Sequence, residues 1–216
     1  MLYIIATPIG NLKDISQRAL EILKQVDLIL CEDTRVTKKL LARYEISKPT
    51  VSYHQHSKLT KNRYILEQLK KNKDIALVSD AGTPTISDPG AKLIDYLTKE
   101  LSDLKIIPIP GPAALIAALS ISGFSADKFV FLGFPPIKKK RSKFFKELKD
   151  FKNTVVFYES PHRILKTLNE LIDLDKQIVV GRELTKKFET VYRGDIKEII
   201  NQVKPKGEFV VVINKK

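Results

Sequence analysis

Short apolar runs recur along the chain with amphipathic stretches between them. Residues 2–6, 27–31, 75–79 and 105–109 read as strands, and the segments separating them carry a helical period. Within residues 14–26, Ile15, Ala19, Ile22, Leu23 and Val26 fall on one helical face, with Asp14 placed to cap its start. Residues 91–101 repeat the pattern through Leu93, Ile94, Leu97 and Leu101. Alternating strands and helices predict an α/β fold with a mostly parallel sheet.

The texture changes after Pro110-Gly111-Pro112. A helix of small residues over 113–119 precedes strands at 129–133, 154–158, 178–181 and 209–213, with basic helical segments between them. This half is richer in strands and ends on one, which predicts a mixed sheet there. The pattern therefore divides into two α/β domains, 1–112 and 113–216, without an internal repeat or a low-complexity segment.

Glycine, proline and small polar residues gather where the predicted strands end, the place at which open α/β sheets take ligands. Thr7-Pro8-Ile9-Gly10-Asn11 follows the first strand and leads into a helix, so its amides are placed to meet an anion; an ordinary strand-to-helix turn is the alternative. Residues 80–90, DAGTPTISDPG, hold two Gly, two Pro and two Asp, more special residues than a plain connection needs. They read as a binding loop. Pro110-Gly111-Pro112-Ala113-Ala114 reads as a shallow groove for a flat ligand, as an interdomain hinge, or as both.

Charged groups mark other strand ends: Glu32-Asp33-Thr34-Arg35, Glu159-Ser160-Pro161-His162-Arg163 after Tyr158, and Arg182-Glu183. Arginine grips phosphate through paired hydrogen bonds, and adjacent carboxylates orient the guanidinium or take a hydroxyl proton. His54 and His56 would share one face of a strand, but no further ligands converge in the pattern and no metal site is expected.

Charge sharpens this picture. The formal net charge is +13, distributed as 17 basic against 13 acidic residues in 1–112 and 21 against 12 in 113–216. Such a surplus attracts polyanions, although a lysine-rich composition alone can produce it. Lys138-Lys139-Lys140-Arg141, followed by Lys143, Lys146 and Lys149, is either a solvated face or a patch for an RNA backbone. At 216 residues and 43% hydrophobic, the chain can bury a substantial core. Apolar stretches such as 112–119 are too short to span a bilayer, Met1 leads straight into the first strand, and Cys31 is the single cysteine, so a reducing, cytoplasmic setting is expected.

Taken in order, Thr-Pro-Ile-Gly-Asn-Leu (7–12), Cys-Glu-Asp-Thr-Arg (31–35), the 80–90 loop, Pro-Gly-Pro (110–112), Glu-Ser-Pro-His-Arg (159–163) and Arg-Glu-Leu-Thr-Lys (182–186) resemble the ribosomal RNA small subunit methyltransferase I family of the tetrapyrrole methylase superfamily, from Tyr3 to about Ile213. The resemblance implies a two-domain α/β fold holding S-adenosylmethionine in the interdomain cleft, and a homodimer. It implies methyl transfer to the ribose 2′-oxygen of a cytidine in the decoding region of 16S ribosomal RNA, with the small ribosomal subunit as partner and neither membrane nor DNA. Gly82, Thr83, Pro84 and Ile86 match the superfamily's cofactor loop, and Pro112, Ala113, Ala114 and Tyr158 fall on its other cofactor walls; Pro8, Gly10 and Asp80 are expected at the cofactor from their places in the first two loops. Asn11, Arg35, His162, Arg163, Arg182 and Glu183 are the expected RNA contacts, with Asp33 and Glu32 as candidate proton acceptors.

Two departures stand out. Many relatives read His-Glu-His-Asn-Glu where this chain has His54-Gln55-His56-Ser57-Lys58, so no carboxylate is offered there. Some relatives also continue into a C-terminal helical extension, whereas this chain stops at Lys216, so RNA docking through such a tail is not expected. Two other functions share the scaffold's logic: methylation of a tetrapyrrole precursor on carbon, and a non-catalytic RNA-binding assembly factor.

Overall fold

The computed structural model describes residues 1–215 apart from Gln55, His56 and Lys58. Two compact units emerge, Met1–Ala113 and Ala114–Lys216.

The first unit runs β1 (Leu2–Ile5), α1 (Gln17–Gln25), β2 (Leu28–Cys31), α2 (Thr34–Arg43), β3 (Thr50–Ser52), α3 (Leu59–Lys70), β4 (Ile75–Val78), α4 (Ala91–Glu100) and β5 (Ile106–Ile109). The strands are all parallel, in the order β3-β2-β4-β1-β5. β2 and β4 are apolar at every position because helices cover both faces of the sheet. On one face Ala19, Leu23, Leu40 and Leu41 of α1 and α2 pack on Tyr3, Ile5, Ile29 and Cys31. On the other, Ile65, Leu66 and Leu69 of α3 with Leu93 and Leu97 of α4 pack on Leu2, Leu28, Leu30, Ile75 and Leu77. Each fully buried aliphatic side chain contributes roughly 1.5–3 kcal/mol, so the two covered faces supply most of this unit's cohesion.

This wrapping creates a reversal. β1 exits towards α1 on one face, while its neighbour β4 exits towards α4 on the opposite face. Their carboxyl ends therefore part at a topological switch point, where such sheets bind ligands.

The second unit runs α5 (Ala114–Ser122), β6 (Phe129–Phe131), α6 (Arg141–Glu147), β7 (Thr154–Glu159), α7 (Ile164–Glu170), β8 (Ile178–Arg182), β9 (Thr190–Gly194), α8 (Ile196–Gln202) and β10 (Phe209–Ile213). Its sheet is mixed, in the order β6-β7-β10-β8-β9, with β6 parallel to β7 and the other pairings antiparallel. Phe157, Val180 and Val211 face Phe145, Leu148, Ile164, Leu168 and Ile199 from α6 to α8. The apolar helix α5 packs on β7, β8 and β10.

The α/β class and the parallel and mixed sheets agree with the sequence pattern. Four details differ. The cap of α1 is Ser16, whose hydroxyl accepts from the Ala19 amide, while Asp14 lies in a preceding 3-10 turn. β3 and β9 carry too little apolar alternation to read as strands. β7 runs one residue past Tyr158, drawing Glu159 into the ladder opposite Phe209. Finally, His54 lies beyond the end of β3 rather than on a strand, and His56 lies outside the described residues.

Candidate functional site

At the switch point the exits of β1 and β4 are stitched together. The Thr7 amide donates to the Gly82 carbonyl at 2.9 Å, and the Gly82 amide donates back to Thr7 at 3.0 Å. The buried Thr7 hydroxyl donates to the Ser79 carbonyl at 3.0 Å. The exit of β5 joins them: Thr83 Oγ1 donates to the Pro112 carbonyl at 3.4 Å, and a Cβ on Gly111 would sit 3.0 Å from that of Ala6. The three glycine-proline clusters thus converge on one sheet edge. Pro8 is buried beneath them and Gly10 is exposed.

The 80–90 loop is held in an uncommon backbone form. Gly82 has φ +81°, and a Cβ there would meet Ile9 at 3.5 Å and the Pro112 carbonyl at 3.8 Å, so conformation rather than crowding demands glycine. Thr85 and Ser87 also adopt positive φ, at 73° and 62°. A β-branched residue in that region costs about 1–3 kcal/mol, the kind of strain that gathers at ligand clamps. Past the exposed Ile86, Asp88 and Tyr53 line a cavity of about 260 Å³ with the first residues of α4, whose start has no side-chain cap.

Carboxylates crowd this edge. The Asp33 amide donates to Asp80 Oδ1 at 3.0 Å, fastening the exit of β2 to that of β4. Burial raises the Glu32 carboxyl above its usual range, the charge of Asp80 adds to this, and His54 opposes it. Burial pushes Asp88 up to about 6, against a hydrogen bond from Ser79 and with help from Glu32 and Asp80. Asp33 behaves oppositely: it caps α2 by accepting from the Arg35 amide at 2.8 Å and pairs with the guanidinium at 2.6 Å. The bond from the Arg35 side chain chiefly holds its carboxyl down at about 2. A general base works best with a pKa near the operating pH, which favours Glu32 and disfavours Asp33. The Arg35 side chain, 86% exposed, remains free to reach outward while paired.

Most of the expected RNA contacts in the second unit also make internal bonds. Glu159 is buried, accepts from the Ser160 amide at 2.7 Å and Thr167 Oγ1 at 2.5 Å, and pairs with Arg163 at 2.8 Å. Arg163 further donates to Ser160 Oγ at 3.1 Å and the Pro135 carbonyl at 2.8 Å. Arg182, also buried, donates to the carbonyls of Lys206 at 2.6 Å and Phe188 at 3.0 Å. Glu183 accepts from the Glu208 amide at 2.9 Å and from Lys186 at 3.1 Å. These bonds hold the loops at the strand ends in place. Arg141, which read as part of a basic face, is 4% exposed and pairs with Glu170 at 2.6 Å. A charged residue opening a helix inside a lysine run carries no sequence sign of burial.

Of the remaining positions, Asn11 is exposed and accepts from the Lys13 amide at 3.1 Å, capping the 3-10 turn. His162 is exposed. Tyr158 packs edge-on against Phe131 and Phe134 in the second unit. Pro84 is buried, and Ala113 and Ala114 are partly buried at the junction of chain between the units. Among the described residues no group of three or more His, Cys, Asp or Glu could hold a metal ion. No helix among them is long and apolar enough to cross a membrane.

Residues 1–200 match the family of Tetrapyrrole (Corrin/Porphyrin) Methylases. The chain is 47% identical to the Ribosomal RNA small subunit methyltransferase I of Bacillus subtilis (strain 168), over 99% of this chain and 74% of that protein. It is 44% identical to the Thermotoga maritima protein of the same name, over 100% of this chain and 98% of that one. Among solved structures it resembles the cobalamin biosynthetic enzyme cobalt precorrin-4 methyltransferase, CbiF, with a TM-score of 0.72 at 19% identity, covering 99% of this chain and 94% of that one. The methyltransferase CobJ follows at 0.71 and 15%, covering 99% and 93%. At such identities these two structures speak for the fold alone.

Proposed function

Because the chain belongs to the ribosomal RNA small subunit methyltransferase I family of the tetrapyrrole methylases, we propose that it methylates small-subunit ribosomal RNA, transferring the methyl group of S-adenosylmethionine to the ribose 2′-oxygen of a cytidine in the decoding region. The observation that carries this reading is the paired loop exit at the switch point, where Thr7 and Gly82 bridge and three glycine-proline loops meet.

The residues at this edge fit the methyl donor. Gly82 and Gly10 present backbone without side chains, and Glu32, Asp80 and Asp88 set a negative field suited to a ligand bearing a sulfonium and an ammonium. When bound, S-adenosylmethionine supplies a methyl group already activated on its sulfonium. The loops 7–11, 80–90 and 110–113 would hold it through backbone contacts; Ala114 and Tyr158, of the second unit, are cofactor positions on the family resemblance alone.

The chain's own tasks are alignment and proton removal. A ribose hydroxyl is a weak nucleophile, so a nearby acceptor helps. Glu32 has that part in this reading, since its carboxyl is raised and its neighbour Asp33 is committed to Arg35. Arg35 holds a flanking phosphate, and Asn11 and His162 contact the RNA. A cytoplasmic homodimer belongs to the same reading and rests on the family resemblance.

Incubating the protein with labelled S-adenosylmethionine and unmethylated small subunits, naked ribosomal RNA or a porphyrinogen tests this. Label on RNA is expected. Label on the porphyrinogen alone overturns the reading in favour of tetrapyrrole methylation, and an absence of cofactor binding favours a non-catalytic factor.

A further inference from the structure

Three inward-turned arginines of the second unit, Arg141, Arg163 and Arg182, brace loops at one edge of its sheet. β6 is parallel to β7, and β10 is antiparallel to both β7 and β8, so β6, β7 and β8 all end at one edge of the sheet. The loop leaving β6 places Phe134 (52% exposed) and Ile137 (71% exposed) in solvent, followed by the exposed Lys138, Lys139 and Lys140. This loop is braced from below: Arg163 donates to the Pro135 carbonyl at 2.8 Å and Arg141 to the Pro136 carbonyl at 3.0 Å. Both arginines answer to the buried Glu159, at 2.8 and 3.9 Å.

The arrangement recurs after β8. There Phe188 is 63% exposed, its carbonyl is held by the buried Arg182 at 3.0 Å, and Lys187 Nζ stands 5.8 Å from its ring centroid. Between β6 and β8 lie β7 and β10, so the two loops are separated by about 14 Å at ordinary strand spacing. Two outward aromatics stand on braced loops of one sheet edge, Phe134 followed by the exposed Lys138, Lys139 and Lys140 and Phe188 beside Lys187. Lysines select a polyanion, and an exposed ring gains most from a flat π-face. Bases are stacked away inside a duplex, so the matching partner is a single-stranded nucleic acid, and the proposed function makes it RNA.

We propose that this edge is a docking surface for single-stranded RNA, with Phe134 and Phe188 stacking on bases and Lys138, Lys139, Lys140 and Lys187 holding phosphates. The identity of the RNA rests on the proposed function above; the surface itself does not.

The test uses the full chain and a fluorescein-labelled single-stranded oligoribonucleotide, read by anisotropy across a salt series. The double variant F134A/F188A is expected to bind at least about tenfold more weakly with an unchanged salt slope. The triple variant K138Q/K139Q/K140Q is expected to lower the slope of log affinity against log salt by about 2, whereas K24Q/K71Q/K105Q, which removes equal charge from the first unit, leaves it near the wild-type value. The lysine substitutions leave thermal unfolding and S-adenosylmethionine affinity unchanged, and F188A alone, distant from Tyr158, is expected to weaken RNA binding with cofactor affinity retained. Wild-type affinity in the phenylalanine variant, equal slopes for the two lysine variants, or a change of oligomeric state with RNA binding retained would each overturn the docking surface. Methylation of small subunits by the wild type is scored separately, so a protein that docks RNA here yet methylates none sinks the functional reading alone.

Discussion

Arg163 stands 2.8 Å from the buried carboxylate of Glu159, at the point where β7 ends. Charge at a strand end reads from sequence as ligand chemistry, and here it also forms a counter-ion pair around a buried carboxylate. Removing the anion leaves cations without compensation, which costs more than the pair contributes. Glu159→Gln is therefore expected to destabilise the protein by about 3–5 kcal/mol, seen as an earlier urea midpoint for the second unit. A midpoint unchanged from wild type would mean that solvent reaches the site.

Gly82 supplies a backbone form, since a Cβ there meets nothing closer than 3.5 Å. In Gly82→Ala the left-handed conformation costs about 1–2 kcal/mol, and the loop relaxes by shifting its amides. Calorimetric titration should show S-adenosylmethionine affinity falling at least about tenfold, with only a modest loss of stability. Unchanged affinity would detach this loop from the cofactor.

Asp88, pushed up to about 6, binds its proton more tightly in the folded chain than in the unfolded one. Folding stability therefore falls as pH rises from about 4 to 6, because the folded state must give up a proton that the unfolded state has already lost. Asp88→Asn removes this penalty. Its stability relative to wild type should increase between pH 4 and pH 7, measured by urea unfolding at each pH; a constant difference would refute the burial of this carboxyl.

Glu32 and Asp33 are adjacent but electrostatically opposite. Glu32→Gln should lower kcat by about 10² or more, well beyond any loss of cofactor affinity, as expected for loss of a proton acceptor. Asp33→Asn should act mainly by releasing Arg35, and Arg35→Ala should raise KM for the RNA while sparing cofactor affinity. Equal kcat for wild type and Glu32→Gln would assign the proton elsewhere.

The outlines of this molecule were legible in its sequence. Strands such as β2 and β4, apolar on both faces, and helices such as α4, with Leu93 and Leu97 on one side, announce themselves through period. The three loop clusters were also visible, since glycine and proline mark backbone that must bend. What stayed hidden were relationships set by tertiary placement. Ser16 displaced Asp14 as the cap because the chain makes a 3-10 turn first. Arg163, Arg182 and Arg141 resembled phosphate ligands because sequence records charge, not burial; only the fold shows their donors turned inward to carbonyls and Glu159 or Glu170. The contrast between Glu32 and Asp33 likewise depends on the capping geometry of α2.

Nucleoside mass spectrometry reads directly whether a methyl group reaches a ribose oxygen of small-subunit RNA. Unmethylated small subunits are treated with the protein and S-adenosylmethionine, the RNA is digested, and the modified nucleoside and its fragment are identified. 2′-O-Methylcytidine confined to a fragment of the decoding region is the expected product. A methyl group on the base, or RNA left unmodified under conditions in which a tetrapyrrole precursor is methylated, would contradict it.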